Sequence, residues 1–142
     1  MNVKLLSTDS ELEDVSRVLL QIRQTYSKQE LIAQIKEQQK SGYQIAYVEI
    51  DHKVVTVIGF ITGNKLTWGK HIYIDDFVTD EKQRSSGSGK FLMDWLKSYA
   101  REQGCSQIHL DCKVHRFPTH RFYLREHFNI ASHHFSITDI GS

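Results

Sequence analysis

The chain has 142 residues, of which 39% are hydrophobic and 25% charged, enough for a single domain with a sizeable core and too apolar for a disordered chain. A formal net charge of +1 gives no overall attraction for nucleic acid or a membrane surface, so any anion site has to be local. The apolar runs are too short for a signal peptide or a membrane span, and two cysteines suit neither a disulfide framework nor a zinc site; we therefore expect one cytoplasmic domain over residues 1–142.

The first part of the chain predicts a short strand followed by two helices. The strand is VKLL, and Ser10 stands three residues before Glu13, a capping-box pattern that predicts the start of the first helix. A second capping box, Ser27 with Glu30, begins another amphipathic helix, which we expect to stop near Gly42.

The remainder alternates strands and helices. YQIAYVEI and VVTVIGFITG are typical of strands joined in a hairpin by DHK, and HIYIDDFVT predicts another strand. A helix follows, then the strand SQIHLDC, a short helix entered through Pro118, and a final strand FNIASHHFSI. The order β-α-α-β-β-β-α-β-α-β predicts an α/β fold of the α+β type, in which antiparallel strands lead into a β-α-β crossover. The apolar stripe predicted for the long helix is Phe91, Leu92, Trp95, Leu96 and Tyr99.

The loop KQRSSGSGK, before that long helix, has the local chemistry of an anion site. A helix N-terminus presents unpaired N–H groups and a partial positive charge, and glycines there allow positive φ and close approach of a phosphate to the main chain. A flexible Gly/Ser connector at the surface is the alternative interpretation. The groups that favour the anion site are the glycines Gly87 and Gly89, the hydroxyls of Ser85, Ser86 and Ser88, and the charges of Arg84 and Lys90.

Two common phosphate-binding motifs do not fit this loop. The NTPase loop needs glycine where Arg84 stands and a hydroxyl where Phe91 stands. The dinucleotide fingerprint needs a glycine in place of Leu92. Both interpretations are therefore excluded.

Residues 84–89, Arg-Ser-Ser-Gly-Ser-Gly, match the Q/R-x-x-G-x-G/A signature of the GNAT (Gcn5-related N-acetyltransferase) family. In order and spacing, YIDDFVTDEKQRSSGSGKFLMDWLKSYAREQGCSQIHLDC resembles the acetyl-CoA-binding core of that family, and RFYLREHF resembles its late F-Y-x-x-x-G-F element. The N-terminal half agrees only in its pattern of elements. The resemblance implies a mixed, mostly antiparallel central sheet with a splayed strand pair, flanked by helices.

The resemblance also implies how acetyl-CoA, the co-substrate, is held without a metal. The backbone of Phe77, Val78 and Thr79 would pair with the pantetheine arm, and the N–H groups from Arg84 through Lys90 would hold the pyrophosphate. Arg116 stands where the family often has an asparagine; it would contact a cofactor phosphate or an acceptor carboxylate, or simply be solvated. His127 replaces the glycine of the late element, which puts the local turn in question.

The reaction needs a base for the proton of the amine and a donor to the leaving sulfur. Tyr123 matches the late tyrosine of the family and is the predicted donor, because a phenol is protonated at neutral pH; packing in the core is the alternative. Asp75 and Asp76 adjoin the expected splay and are the candidate bases, with Asp75 slightly preferred. Either carboxylate could instead bind a cationic acceptor or cap a turn. His71 and Glu49 are weaker candidates.

The resemblance therefore implies direct transfer of an acetyl group from acetyl-CoA to a primary amine in a ternary complex. The alternatives are a CoA-binding regulatory domain without turnover and an enzyme that uses another acyl-CoA. The expected partner is a small-molecule or peptide amine, with no nucleic acid and no membrane, and the family allows a homodimer. The late histidines form no H-x-x-x-H pair, so no metal is expected, and Cys112 is expected to be a small buried thiol.

Overall fold

Within residues 1–141, which the computed structural model of the chain describes, five strands form one sheet in the order β1-β2-β3-β4-β5. The first three pairings are antiparallel, and β4 pairs with β5 in parallel. The mixed, mostly antiparallel sheet is thus confirmed. The chain divides into two compact units, residues 1–110 with the whole sheet and the residues from 111 onward. The strands are β1 (Asn2–Leu5), β2 (Gln44–Ile50), β3 (Lys53–Lys65), β4 (Gly69–Thr79) and β5 (Gln107–Leu110).

The first two helices begin with capping boxes, one of which differs from the prediction. The cap of the first helix is Thr8 with Glu11, so the predicted pairing of Ser10 with Glu13 is wrong. Glu11 also accepts the hydroxyl of Tyr47 on β2, which explains why the earlier cap is used. The Ser27 capping box is confirmed. The helices are α1 (Asp9–Leu19), α2 (Lys28–Gln39), α3 (Ser88–Glu102) and α4 (Phe117–Arg125), with a 3₁₀ turn at Glu81–Gln83.

The helices α1 and α3 bury apolar side chains in the first unit, and the buried stripe of α3 differs from the prediction. Phe91 is 39% exposed, whereas Met93 and Ala100 are buried. Trp95 and Tyr99 are half-buried and stack on each other, with ring centroids 5.0 Å apart. The buried residues of α1 are Leu12, Val15, Val18 and Leu19, and the apolar ones of α3 are Leu92, Met93, Leu96 and Ala100.

The second unit contains α4, entered through Pro118 as predicted. His127 ends this helix with a φ of 73°, in the left-handed region where the family has glycine, and the N–H of Phe128 donates to the carbonyl of Tyr123 at 3.0 Å. The turn is therefore kept at a cost in backbone strain. The predicted final strand is wrong, because residues 128–137 form no strand and Phe135 is exposed. Alternating apolar residues form a strand only when a neighbouring strand completes the ladder.

No helix among residues 1–141 is both long and apolar enough to cross a bilayer.

Candidate active site

The ladder between β4 and β5 ends at Ile74 and Leu110, whereas β4 continues to Thr79 in pairing with β3. The strand is bulged at the same point, because Asp76 lies opposite Gly59 and the next pair along β3 joins Phe60 to Ile74. A bulge bends its strand and increases the local twist. The predicted splay therefore lies at the bulge, and residues 77–79 follow it.

The loop after β4 places two residues in the left-handed region before α3 begins. Ser85 has a φ of 71° and Gly87 a φ of 82°, whereas Gly89 lies in the first turn of α3 and does not have the positive φ that we expected. Gly87 is the N-cap of α3 and supplies no side-chain cap, but the Ser88 N–H donates to Ser86 Oγ at 3.3 Å. The first N–H groups of a helix have no intrahelical partner, so the donors that follow Ser88 in the first turn form a favourable site for an anion.

The hydroxyls of Ser86 and Ser88 bind within the protein instead of pointing outward as phosphate donors. Ser88 is 1% exposed, and its Oγ lies 2.6 Å from Thr56 Oγ1 on β3. Thr56 Oγ1 lies 3.0 Å from Thr79 Oγ1, and Ser86 donates to Ser88 Oγ at 2.9 Å. This chain of hydroxyls ties the loop to the sheet. The predicted phosphate contacts of this loop therefore depend on the main chain.

The other end of the loop is held by α1. Asp80 is 2% exposed, and its carboxylate accepts Arg17 Nη1 at 2.9 Å, Gln21 Nε2 at 3.2 Å and the Lys82 N–H at 3.1 Å. The hydrogen bond from Arg17 is the largest of the effects that lower the pKa of Asp80, to about 2. Sequence reasoning missed this contact, because nothing in the local pattern of α1 marks Arg17 as a partner of Asp80.

The two candidate bases have different surroundings. Asp76 is fully engaged, since its Oδ2 accepts the Tyr43 hydroxyl at 2.6 Å and its Oδ1 lies 2.7 Å from Arg23 Nη2. Asp75 is exposed and borders a pocket. Partial burial and the charge of Asp76 raise the pKa of Asp75, and Arg23 opposes the shift. Of these two carboxylates, only that of Asp76 is bound by both Tyr43 and Arg23, and Asp75 is the one that borders the pocket. The other residues that line the pocket are Glu37, Gln38, Ser41, Tyr43 and Ile61.

The side chains of His71 and Glu49, the two weaker candidates for the base, bind other groups of the protein. His71 is 3% exposed, and its Nδ1 lies 2.8 Å from the carbonyl oxygen of Gly69, to which it can donate. The carboxylate of Glu49 pairs with Lys4 at 2.7 Å on the β1–β2 side of the sheet. Both contacts fit structural roles better than proton transfer.

Arg116 and Tyr123 belong to the second unit, where α4 begins directly after Arg116. Tyr123 is half-buried, and its ring meets those of Phe122 and Phe128 edge-on at 5.5 Å. Burial raises the pKa of Tyr123 above its usual value, while Arg116 opposes the shift, so the phenol is protonated at neutral pH. Burial likewise raises the pKa of Cys112, which favours the unreactive thiol.

The late histidines do not cluster. His134 Nδ1 lies 3.1 Å from a carboxylate oxygen of Asp111, and residues 1–141 contain no group of three or more His, Cys, Asp or Glu side chains arranged to hold a metal ion. Trp68 stacks on His109 with ring centroids 3.5 Å apart and lies under Lys65.

The acetyltransferase (GNAT) family profile matches residues 10–128. An uncharacterized N-acetyltransferase of Bacillus subtilis (strain 168), YhdJ, is 31% identical over 85 residues, which cover 60% of this chain and 60% of that protein. The ribosomal-protein-alanine N-acetyltransferase from Brucella melitensis biovar Abortus 2308 is similar in structure with a TM-score of 0.83, at 16% identity over 96% of this chain and 99% of that one. AAC(6')-Iy in complex with the bisubstrate analog CoA-S-monomethyl-acetylneamine has a TM-score of 0.82, at 10% identity over 98% of this chain and 99% of that one.

Proposed function

The chain belongs to the GNAT acetyltransferase family, and on that premise we propose that it transfers an acetyl group from acetyl-CoA directly to a primary amine in a ternary complex. One observation carries the proposal. The N-terminus of α3, whose N-cap is the glycine Gly87, follows β4, and β4 is bulged at the point where its ladder with β5 ends. The bound analog in AAC(6')-Iy joins CoA to an acetylated amine, which agrees with direct transfer in a protein of the same fold. The acceptor is a small-molecule or peptide amine, and the protein acts in the cytoplasm.

The loop fits the diphosphate of CoA through its backbone. Successive residues with φ of opposite sign turn neighbouring N–H groups towards one point, which makes an anion-binding concavity, and Ser85 and Gly87 supply the positive φ here. The N-terminus of α3 adds donors and a favourable dipole. The charges of Arg84 and Lys90 lie at the two ends of the loop. Residues 77–79 would pair with the pantetheine arm through their backbone, as an added strand pairs with a sheet edge.

Acetyl-CoA supplies the acetyl group as a thioester, and the residues of this chain manage the protons. Asp75 takes a proton from the amine, because burial and Asp76 give its carboxylate a raised proton affinity. The amine nitrogen forms a bond to the acetyl carbon as the carbon–sulfur bond breaks. Tyr123 donates its phenolic hydrogen to the departing sulfur, a role proposed from the family motif and from its protonated state at neutral pH.

The test is a panel of primary amines with release of free CoA thiol as the readout, run beside calorimetry with CoA and acetyl-CoA. We expect binding of both compounds and acetylation of at least one class of amine. Binding of CoA with no thiol release across a broad panel would identify a CoA-binding domain instead. Release with succinyl-CoA in place of acetyl-CoA would identify another acyl donor. If neither CoA nor acetyl-CoA bound, the proposal would fail.

A further inference from the structure

The carboxylate of Asp76 is held by side chains from two other parts of the fold. The Tyr43 hydroxyl, from the residue just before β2, donates to Oδ2 at 2.6 Å, and Arg23, from the segment between α1 and α2, approaches Oδ1 with Nε at 3.0 Å and Nη2 at 2.7 Å. Arg23 Nη2 also donates to the backbone carbonyl of Asp75 at 3.1 Å. We call Arg23, Tyr43 and Asp76 the Asp76 clamp.

The clamp depends on the absence of a side chain at Gly59. Gly59 lies directly opposite Asp76 across the β3–β4 ladder, at the bulge. A Cβ atom at Gly59 would overlap the hydroxyl and the ring edge of Tyr43, so the ring reaches Asp76 only because this position has no side chain. Tyr43 is 5% exposed, and burial and Asp76 raise the pKa of its hydroxyl, which therefore stays a donor.

We propose that Arg23 and Tyr43 are positioning residues that act through Asp76, fixing the bulge of β4 so that, of the two neighbouring carboxylates, Asp75 is the one presented to the acceptor amine. The Arg23 contacts to the side chain of Asp76 and to the carbonyl of Asp75 fix both residues of the bulge at once. The inference rests on the proposed function only in its last step, the use of Asp75 as the base. The fixing of the bulge is a property of the folded chain.

The clamp also sets the charge that Asp75 experiences. Asp76 is a like charge next to it and raises the pKa of Asp75, whereas Arg23 lowers it. Glu37 of α2 and Tyr43, just before β2, line the same pocket. Removal of Arg23 should therefore raise the proton affinity of Asp75, and neutralisation of Asp76 should lower it. A clamp that only stabilised the fold would give no such opposite shifts.

The experiment follows the carboxyl carbon of Asp75 by NMR through a pH titration of the full chain, in Arg23→Gln and Asp76→Asn. We expect the midpoint to move to higher pH in Arg23→Gln and to lower pH in Asp76→Asn. Arg23→Lys keeps the charge without the planar fork, so its midpoint should stay near that of the wild type. Arg101→Gln, which removes an exposed positive charge on α3, is the matched control and should not move it.

In the acetylation assay, the acid limb of kcat/KM should move as the NMR midpoint does. Midpoints that move in the same direction in Arg23→Gln and Asp76→Asn, or that stay fixed in folded protein, would overturn the clamp proposal. If Asp76→Asn does not fold, the comparison of Arg23→Gln with Arg23→Lys decides in the same way, since only the former loses the charge. Full turnover of Asp75→Asn at every pH would refute the base assigned under the proposed function, while the NMR titration would still decide the clamp.

Discussion

Ser88 Oγ and Thr56 Oγ1 lie 2.6 Å apart, and both side chains are fully buried, so the first residue of α3 is fastened to β3 by one short hydrogen bond. The end of α3 that we propose binds the diphosphate of CoA is thereby held in place by the sheet. A loop that is fixed before its ligand arrives loses less entropy on binding. This contact therefore links the stability of the fold to the proposed affinity for CoA.

Ser88→Ala removes one partner of that hydrogen bond and should lower the free energy of unfolding by about 1–2 kcal/mol. It should also raise the Kd for CoA, because the first turn of α3 is then less firmly placed. Urea unfolding and calorimetry measure the two effects. Ser98→Ala, on the same helix, is the control for serine removal and should leave the Kd unchanged. An unaltered CoA affinity in a measurably destabilised Ser88→Ala would contradict the link.

Gly87→Ala tests the left-handed backbone at the N-cap of α3. A side chain at this φ of 82° costs roughly 1–2 kcal/mol, although nothing within 4 Å would obstruct the Cβ itself. We expect weaker CoA binding together with the loss of stability. Gly69→Ala is the matched control, because Gly69 also has a positive φ and open space but lies in the β3–β4 hairpin. If both substitutions weakened CoA binding equally, the loop would not be the binding site.

Asp80→Asn tests the contact between α1 and the loop through pH. The pKa of Asp80 falls from 3.8 to about 2 on folding, so its stabilisation is fully present above pH 3.8 and is lost as the pH falls through about 2. At neutral pH the substitution should cost about 2 kcal/mol, since each pKa unit corresponds to about 1.4 kcal/mol. The difference from the wild type in urea unfolding should shrink below pH 3.8. The exposed Asp94→Asn should cost little at any pH, and a penalty for Asp80→Asn that did not change with pH would argue against the ion pair.

Tyr123→Phe should reduce kcat by roughly 10²-fold or more if the phenol serves the leaving sulfur, with little change in the Kd for CoA. Because the pKa of Tyr123 is raised, the wild type should keep its donor well into the alkaline range. Stopped assays of thiol release across that range measure both effects. Tyr99→Phe, which loses a hydroxyl that contacts Gln44, is the control and should keep its turnover. Unchanged turnover of Tyr123→Phe at every pH would show that the donor is another group.

The helix and strand predictions show which structural features a local sequence pattern can predict and which it cannot. The Ser27 capping box was predicted correctly from its spacing. Thr8 with Glu11 and Ser10 with Glu13 share that same spacing, and the first pair forms the cap, where Glu11 also accepts the hydroxyl of Tyr47 on β2. The final strand was predicted from alternation alone, and residues 128–137 form none. The periodicity of a segment indicates which secondary structure it could form, and the tertiary structure determines whether a neighbouring strand is present to pair with it.

The sequence by itself determined the family and the mixed sheet, and it located the loop from Arg84 to Lys90, because a strand, a loop with Gly87 and an amphipathic helix are contiguous and their order is the signal. Only the tertiary structure showed which of the two neighbouring carboxylates is bound by other side chains. Asp76 is occupied by Arg23 and Tyr43, which are distant along the chain, and Asp75 is not. The ability of a carboxylate to take a proton depends on the charges and donors around it in space, and no local pattern of residues records these.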